Sequence, residues 1–469
     1  MIDEVLRRRD GHVALVAPAQ GVRLTYAELA ARVDQAAESL IRAVGGRRLV
    51  FLAPGPDVEA VLWYLGCLRA RLPLCLVESQ AGPLARLAQA YRPALVLAPD
   101  ALATPEGWAR SSSFMSGYVA AVAASPGSAE VHPDLALLLT TSGSTGDPKL
   151  VRLTERNLTS NATRIAEYLG LGAEERAIQS LPMHYSYGLS VLNSHLVAGA
   201  TVVLTPHSFM RPEFWRDFDE HQATSFAGVP YMYETLHRLR FEPGQHPTLR
   251  TLTQAGGALH RDLIGHYHAK ATQAGARLVV MYGQTEATAR ISYVPPERLG
   301  EKIGTIGVPI PCGRLRLEPL EGDGGGRTEL IYEGDNVMLG YAETVSDLAL
   351  GDVLQGVLRT GDLATVDPDG YFTVVGRLKR FAKLFGRRIS LEDVERELES
   401  SFPVRAIATE TGNRLGVALV ADGAVRDDAL AAHLARFLAV PPAAIVVRRL
   451  PELPLTATGK KDYKAVERL

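Results

Sequence analysis

Five apolar residues, Leu135-Ala136-Leu137-Leu138-Leu139, stand directly before Thr140-Thr141-Ser142-Gly143-Ser144-Thr145-Gly146-Asp147-Pro148-Lys149, and this junction constrains the fold more than any other part of the chain. The apolar run predicts a buried strand, so the loop behind it leaves the edge of a sheet. Seven of the ten loop residues are Gly, Ser or Thr, and the loop ends in a lysine. Glycines let the backbone curl until successive N–H groups face one anion, hydroxyls add neutral donors, and the lysine brings a mobile charge. The loop is therefore suited to hold phosphate. It is not a Walker A loop, because Asp147 and Pro148 separate the second glycine from the lysine. A flexible Ser/Gly linker is the bland alternative, and the strand directly behind the loop argues against it.

Helix and strand patterns alternate over the first 300 residues or so. Asp57 to Ala70 has helical apolar spacing, while Leu49–Leu52, Leu74–Val77, Ala94–Leu97, Thr201–Leu204 and Leu278–Met281 are short, β-rich runs. The alternation predicts an α/β fold with mainly parallel sheets. Residues 98–133, rich in Ala, Ser, Pro and Gly, read as an irregular excursion or a small helix. From Pro309 the texture changes: Gly324-Gly325-Gly326 links two strand-like segments, and Asp367-Pro368-Asp369-Gly370 makes a turn between Leu363–Val366 and Tyr371–Val375, which predicts a small antiparallel β region. Beyond Gly376 come six basic residues in twelve, Arg377 to Arg388, then amphipathic helices over Leu391–Ser400 and Asp427–Leu438. We expect a large N-terminal domain, 1–376, of two α/β sheets plus the β region, and a smaller α+β domain, 377–469.

Composition narrows the partners. A chain of 469 residues is too long for one core. With 46% hydrophobic residues, 22% charged residues and a net charge of −2, it offers no electrostatic case for nucleic acid or an anionic membrane. Cys67, Cys75 and Cys312 lack metal-ligand spacing, so reduced thiols are expected and a zinc site is not. The N-terminus has no basic segment followed by an apolar one, and no apolar run reaches the ~18 residues a membrane span needs. The expectation is a cytoplasmic protein.

Further segments carry chemistry. Tyr282-Gly283-Gln284-Thr285-Glu286 follows a predicted strand, where ligands bind in open α/β sheets, and offers a flat ring, a hydroxyl and a hard carboxylate suited to Mg²⁺. Arg359-Thr360-Gly361-Asp362 holds a carboxylate able to accept from vicinal ribose hydroxyls. Gly376-Arg377-Leu378-Lys379 marks the texture change, and Thr456-Ala457-Thr458-Gly459-Lys460 lies near the C-terminus. Read singly, each is also ordinary turn or surface chemistry.

In their order and spacing these segments resemble the adenylate-forming superfamily: acyl-CoA synthetases, peptide-synthetase adenylation domains and luciferase. Leu24-Thr25-Tyr26-Ala27-Glu28-Leu29 resembles the family's opening helix, and Thr328-Glu329-Leu330 to Gly340-Tyr341 its Gly-Glu-Leu to Gly-Tyr segment. The resemblance implies that Thr141, Ser142, Gly143, Ser144, Thr145, Gly146 and Lys149 wrap the β- and γ-phosphates of ATP. It implies that Tyr282 stacks near adenine beside Gly256, Gly257 and Ala258, and that Asp362 and Arg377 hold the ribose. Thr285 would contact the α-phosphate, Glu286 the Mg²⁺, and Lys460, on a mobile lid, the reacting carboxylate and α-phosphate. Lys379 matches the hinge. His184, in Leu181-Pro182-Met183-His184-Tyr185-Ser186-Tyr187-Gly188-Leu189, matches the ring that orients the acid.

The expected acid pocket is walled by His184, Tyr185, Tyr187, Phe226, Val229, Gln254, Gly256 and Met281, a mostly apolar set suited to an aryl, enoic or short aliphatic acid. Peptide-synthetase domains usually place Asp where Tyr185 stands, and a buried ammonium without a carboxylate is costly, so an ordinary α-amino acid is disfavoured. Leu150 and Glu155 also depart from the family's usual residues, and the short lid leaves CoA open against a separate carrier protein as acceptor. The implied function is an ATP- and Mg²⁺-dependent acid–thiol ligase passing through an acyl-adenylate, with no covalent enzyme nucleophile. Activation of an unusual oxyacid such as nitrite for an amine acceptor is a second reading. A non-catalytic nucleotide-binding homologue is a third, against which the catalytic positions keep residues of the expected type.

Overall fold

The computed structural model describes the chain apart from residues 2–4, 6, 8–10, 112–116, 124–129, 141–148, 321–325, 379, 385–386, 412–413, 422–424, 439, 457–460 and 468–469. Contacts divide it into two units: Met1–Leu315 with Tyr332–Leu358, and Arg316–Ile331 with Arg359–Leu469.

The first unit holds two α/β sheets. One has nine strands, in the order Val308–Pro309, Ser292–Tyr293, Arg277–Tyr282, Thr251–Gln254, Ser225–Gly228, Arg176–Ile178, Thr201–Val203, Val13–Ala17 and Val22–Thr25. Its interior pairs are parallel and its ends antiparallel. The other has eight, in the order Gly340–Ala342, Leu150–Thr154, Leu135–Thr140, Leu74–Leu76, Val50–Leu52, Leu95–Pro99, Tyr118–Ala123 and Trp108–Ser111, again parallel at the centre. The predicted strands fall in these sheets. Leu135–Thr140 is not an edge strand, however, since Leu150–Thr154 returns antiparallel beside it.

Residues 98–133 depart from the expectation of an irregular excursion or a helix. They include two strands, Trp108–Ser111 and Tyr118–Ala123, which extend the sheet antiparallel from Leu95–Pro99. Small alanines hid the pattern: Ala120 and Ala121 are buried by pairing and packing, not by bulk.

Local signals set the helices. Thr25 caps the helix Tyr26–Val44 in a reciprocal capping box with Glu28. The helix Val58–Arg69 starts at Asp57, whose side chain accepts from Ala60 N at 2.8 Å. Val58 and every residue from Ala60 to Leu68 are buried, so this helix is interior on all sides. Truncating one such leucine, Leu62 for example, to Ala costs roughly 2–5 kcal/mol.

A four-stranded sheet runs in the order Arg314–Pro319, Thr328–Glu333, Val357–Val366, Phe372–Arg377. The expected hairpin appears in it, with Val366 opposite Phe372 and Asp362 opposite Arg377. The C-terminal part has its own three-stranded sheet, Val404–Thr411, Arg414–Ala421 and Ile445–Arg449. Leu391–Ser401 and Asp427–Leu438 pack on it through Val394, Leu398, Leu430 and Leu434. Among the described residues no helix is long and apolar enough to cross a membrane.

Candidate active site

The strand Arg277–Tyr282 ends in a turn that leaves little freedom. A Cβ at Gly283 would lie 1.8 Å from the Ala289 carbonyl oxygen, so only glycine fits there. Thr288 and Ala289 take positive φ angles of 55° and 107°, strained for side-chain-bearing residues. Buried Asn336 clamps the turn, donating to the Ala287 carbonyl at 2.7 Å and the Arg290 carbonyl at 2.8 Å, while Thr288 Oγ1 donates to the Asn336 carbonyl at 2.6 Å. Nothing in the sequence singles out Asn336, because an asparagine after Gly-Asp reads as plain turn chemistry.

The turn presents the predicted residues side by side. Gln284 Nε2 donates to the Tyr282 hydroxyl at 3.2 Å. Thr285 Oγ1 lies 3.1 Å from Ser186 Oγ, which opens the helix Ser186–Ala198. Glu286 Oε1 accepts from the Tyr341 hydroxyl at 2.6 Å, and its second oxygen has no partner among the described residues. Burial and the Glu286 carboxylate push the Tyr341 phenol up, so it stays a donor. Lys149 pairs with Glu343 and lies 5.7 Å from the centre of the Tyr341 ring. The strand Gly340–Ala342 thus engages both the predicted phosphate lysine and the predicted metal carboxylate. Thr141, Ser142, Gly143, Ser144, Thr145 and Gly146 lie outside the described residues.

Across from this turn lies the expected acid segment. The half-buried His184 has a buried Nδ1 with no partner among the described residues, and burial pushes the imidazole pKa down to about 4, leaving it neutral at pH 7. Tyr185 and Tyr187 are buried. A Cβ at Gly256, which sits at φ 85°, would lie 2.4 Å from the Tyr185 hydroxyl and 3.1 Å from Val229 Cγ1, so these three residues meet closely. Gln254 Nε2 fastens the same loop by donating to the Gly257 carbonyl at 2.9 Å, leaving Gly257 and Ala258 exposed. Tyr187 donates to the Thr253 carbonyl at 3.0 Å, and Met281 Sδ accepts from Tyr168 at 2.9 Å. Phe226 stands in an aromatic cluster with Phe214, Trp215 and Tyr233, a packing role the expected pocket did not include.

In the second unit, Asp362 is 1% exposed and accepts from Arg377 Nε at 2.7 Å across the hairpin. Arg377, at 58% exposed, remains reachable. Lys379 and Lys460 lie outside the described residues. Lys461, beside Lys460 in sequence, donates to Glu395 and Glu399 at 3.0 Å each and to the Ala406 carbonyl at 2.7 Å. Burial works against its charge, and the two carboxylates overcome that and raise its pKa. Cys67 and Cys75 are buried in apolar surroundings that push their thiols up, which suits packing and not nucleophilic attack.

Residues 2–342 match the model of a family described as AMP-binding enzyme. A protein of Amycolatopsis named feruloyl-CoA synthase is 34% identical over 469 residues, covering 94% of this chain and 92% of its own. A sulfoacetate–CoA ligase of Cupriavidus necator is 33% identical over 314 residues, covering 65% of this chain and 58% of its own. Among solved structures, o-succinylbenzoate CoA synthetase from Bacillus subtilis in complex with its acyl-adenylate intermediate matches with a TM-score of 0.78 and 22% identity, covering 98% of this chain and 96% of that one.

Proposed function

Because this chain belongs to the AMP-binding enzyme family and is an acyl-AMP-forming ligase, we propose that it joins a small or medium aryl, enoic or short aliphatic acid to a thiol at the expense of ATP. One carboxylate oxygen attacks the α-phosphorus, the bond to the bridging oxygen of the β-phosphate breaks, and pyrophosphate leaves. A thiolate, from CoA or the phosphopantetheine of a separate carrier protein, then attacks the acyl carbon and AMP departs. The observation that carries this reading is the 3.1 Å approach of Ser186 and Thr285, which joins the acid segment to the turn that bears Glu286. The named acids of the two relatives, an aryl enoate and a short aliphatic, fall within the proposed class.

In this reading Lys149 and the loop before it hold the outer phosphates, Thr285 the α-phosphate, Asp362 and Arg377 the ribose, and Tyr282 with Gly256, Gly257 and Ala258 the adenine. Glu286 would hold Mg²⁺ through the carboxylate oxygen left unpartnered; when bound, the ion offsets charge on the phosphate oxygens. The neutral His184 orients the acid by hydrogen bonding, and Lys460 neutralises charge gathered between carboxylate and α-phosphate. Residues 377–469 act as the lid, with Lys379 its hinge. The test is acid-dependent pyrophosphate release from ATP and Mg²⁺ over a panel of aryl, enoic and aliphatic acids, with and without CoA. Release with at least one acid, accelerated or followed by thioester formation with CoA, is expected. Absence of release across the panel while ATP binds would overturn the reading.

A further inference from the structure

Arg290 is 3% exposed and has no carboxylate partner among the described residues. Its guanidinium lies 4.0 Å from the centre of the Tyr187 ring, with the Tyr168 phenol also against it. Nη1 makes one long hydrogen bond, 3.3 Å, to the Ala289 carbonyl, and the buried Nε has no partner. Ring faces attract a cation and the Tyr168 phenol oxygen can accept from it, but neither carries the negative charge that would balance the guanidinium. Burying such a group without a counter-charge is among the costlier arrangements a core can hold. The strained Thr288 and Ala289 backbone delivers it there, and among the described residues the turn offers it only the long contact to the Ala289 carbonyl.

The guanidinium borders a small cavity, about 20 Å³, the space of roughly one water-sized group. Tyr187 and Met281, two of the expected pocket walls, line the same cavity, together with the Ser194 and Thr253 hydroxyls and His195. His195 Nδ1 lies 2.8 Å from the Val191 carbonyl, which sets Nδ1 as the donor and leaves the buried Nε2 unpartnered. Arg290 also acts electrostatically on Tyr185, whose hydroxyl meets Gly256. The charge thus borders a cavity that two of the expected pocket walls, Tyr187 and Met281, also line.

We propose that Arg290 is a specificity-determining residue that recognises a second anionic group, a carboxylate or a similarly compact oxyanion, at the far end of the acid, so that the preferred substrates are dianionic. This rests on the acid-activating reading above. The substrate brings the counter-charge that the described residues do not supply, and an acid without it leaves the guanidinium buried without a counter-charge, which is how a site built for a polar group rejects its apolar analogue. The second group lies away from the reacting end, so its loss raises KM and leaves kcat nearly as it was.

The test pairs alkane- and benzene-dicarboxylates with their half-methyl esters, which keep the skeleton and remove one charge. Binding to the full chain is measured by calorimetry with Mg²⁺ and α,β-methylene-ATP, then pyrophosphate release is measured with ATP. At least one diacid is expected to bind roughly 30-fold tighter than its half-ester, the range for a hydrogen bond to a charged group. In Arg290→Met that ratio falls toward one, while Arg290→Lys keeps part of it. If the Met variant does not melt cooperatively, the wild-type ratio and the Lys variant still decide. No binding of any diacid, or equal binding of diacid and half-ester by the wild type, overturns the inference. Charge-dependent binding without pyrophosphate release from any acid supports Arg290 and overturns adenylation. Pyrophosphate release with no preference for the second charge does the reverse.

Discussion

Tyr341 donates a 2.6 Å hydrogen bond to Glu286, so a phenol occupies one oxygen of the carboxylate proposed to hold Mg²⁺. The bond to a charged acceptor is worth roughly 1.5–3 kcal/mol and draws negative charge from the carboxylate, which weakens the hold of its other oxygen on the ion. Tyr341→Phe should therefore lower the Mg²⁺ concentration that half-saturates pyrophosphate release, by several-fold. A higher requirement would show that the tyrosine orients the carboxylate for the metal. Glu286→Gln should reduce the maximal rate by about 100-fold or more.

Lys149 and Glu343 form the neighbouring pair, with side chains 40% and 60% exposed. An ion pair this open to solvent contributes about 0–1 kcal/mol. Removing either partner should leave the melting temperature almost unchanged, yet the two should part in activity. Lys149→Met is expected to raise the KM for ATP at least tenfold, the order expected for a charge-assisted hydrogen bond, whereas Glu343→Gln removes the competing carboxylate and should lower it. Matching effects of the two substitutions would contradict the assignment of Lys149 to phosphate.

Tyr185 and Gly256 meet so closely that a methyl group cannot be added. Gly256→Ala would place Cβ 2.4 Å from the Tyr185 hydroxyl at a backbone φ of 85°. The variant should lose most acid-dependent pyrophosphate release. Tyr185→Phe removes the clashing oxygen, so the double variant should recover part of that activity but not the ~1 kcal/mol of backbone strain. Steady-state kinetics on the four proteins of the cycle measure the coupling, and additive losses would count against the contact.

Burial of His184 couples stability to pH. Its pKa is about 4 in the folded chain against an ordinary 6.5, so the unfolded chain binds more protons between those values. The contribution is fully present above about pH 6.5 and is lost as pH falls toward 4, and it amounts to no more than about 3 kcal/mol. His184→Phe keeps a ring and removes the titration. Denaturant melts from pH 4 to 7 should show a shallower decline for this variant than for the wild type, and identical slopes would refute the shift.

The Arg377 to Asp362 pair predicts an asymmetry. Asp362 is 1% exposed and Arg377 58% exposed. Removing the arginine leaves a carboxylate buried without it, whereas Asp362→Asn leaves an arginine that water solvates. Arg377→Ala should cost about 2–3 kcal/mol and Asp362→Asn nearer 1. Chemical denaturation checks the order.

Much of the fold was legible because it is written in local periods. Val58–Arg69 announces itself by helical spacing, Leu135–Thr140 by an unbroken apolar run, and the Asp362 hairpin by Asp-Pro-Asp-Gly. Trp108–Ser111 and Tyr118–Ala123 were not legible, since small residues make strands only where a neighbouring edge accepts them. At the site, Thr285, Glu286, Lys149 and His184 stand out by residue type and order. Arg290, Asn336, Tyr341 and Glu343 do not, because nothing in Ala289-Arg290-Ile291 marks a buried cation.

By itself the sequence determined which chemical groups the chain carries and their order: hydroxyls and a lysine suited to phosphate, a carboxylate suited to a metal, a carboxylate able to accept from ribose hydroxyls, and a ring proposed to orient the acid. Only the tertiary structure decided who meets whom. Hydrogen bonding and desolvation depend on distances across strands far apart in the chain, and these set Tyr341 against Glu286, the Tyr185 hydroxyl against Gly256, and Arg290 in the interior with no counter-charge among the described residues.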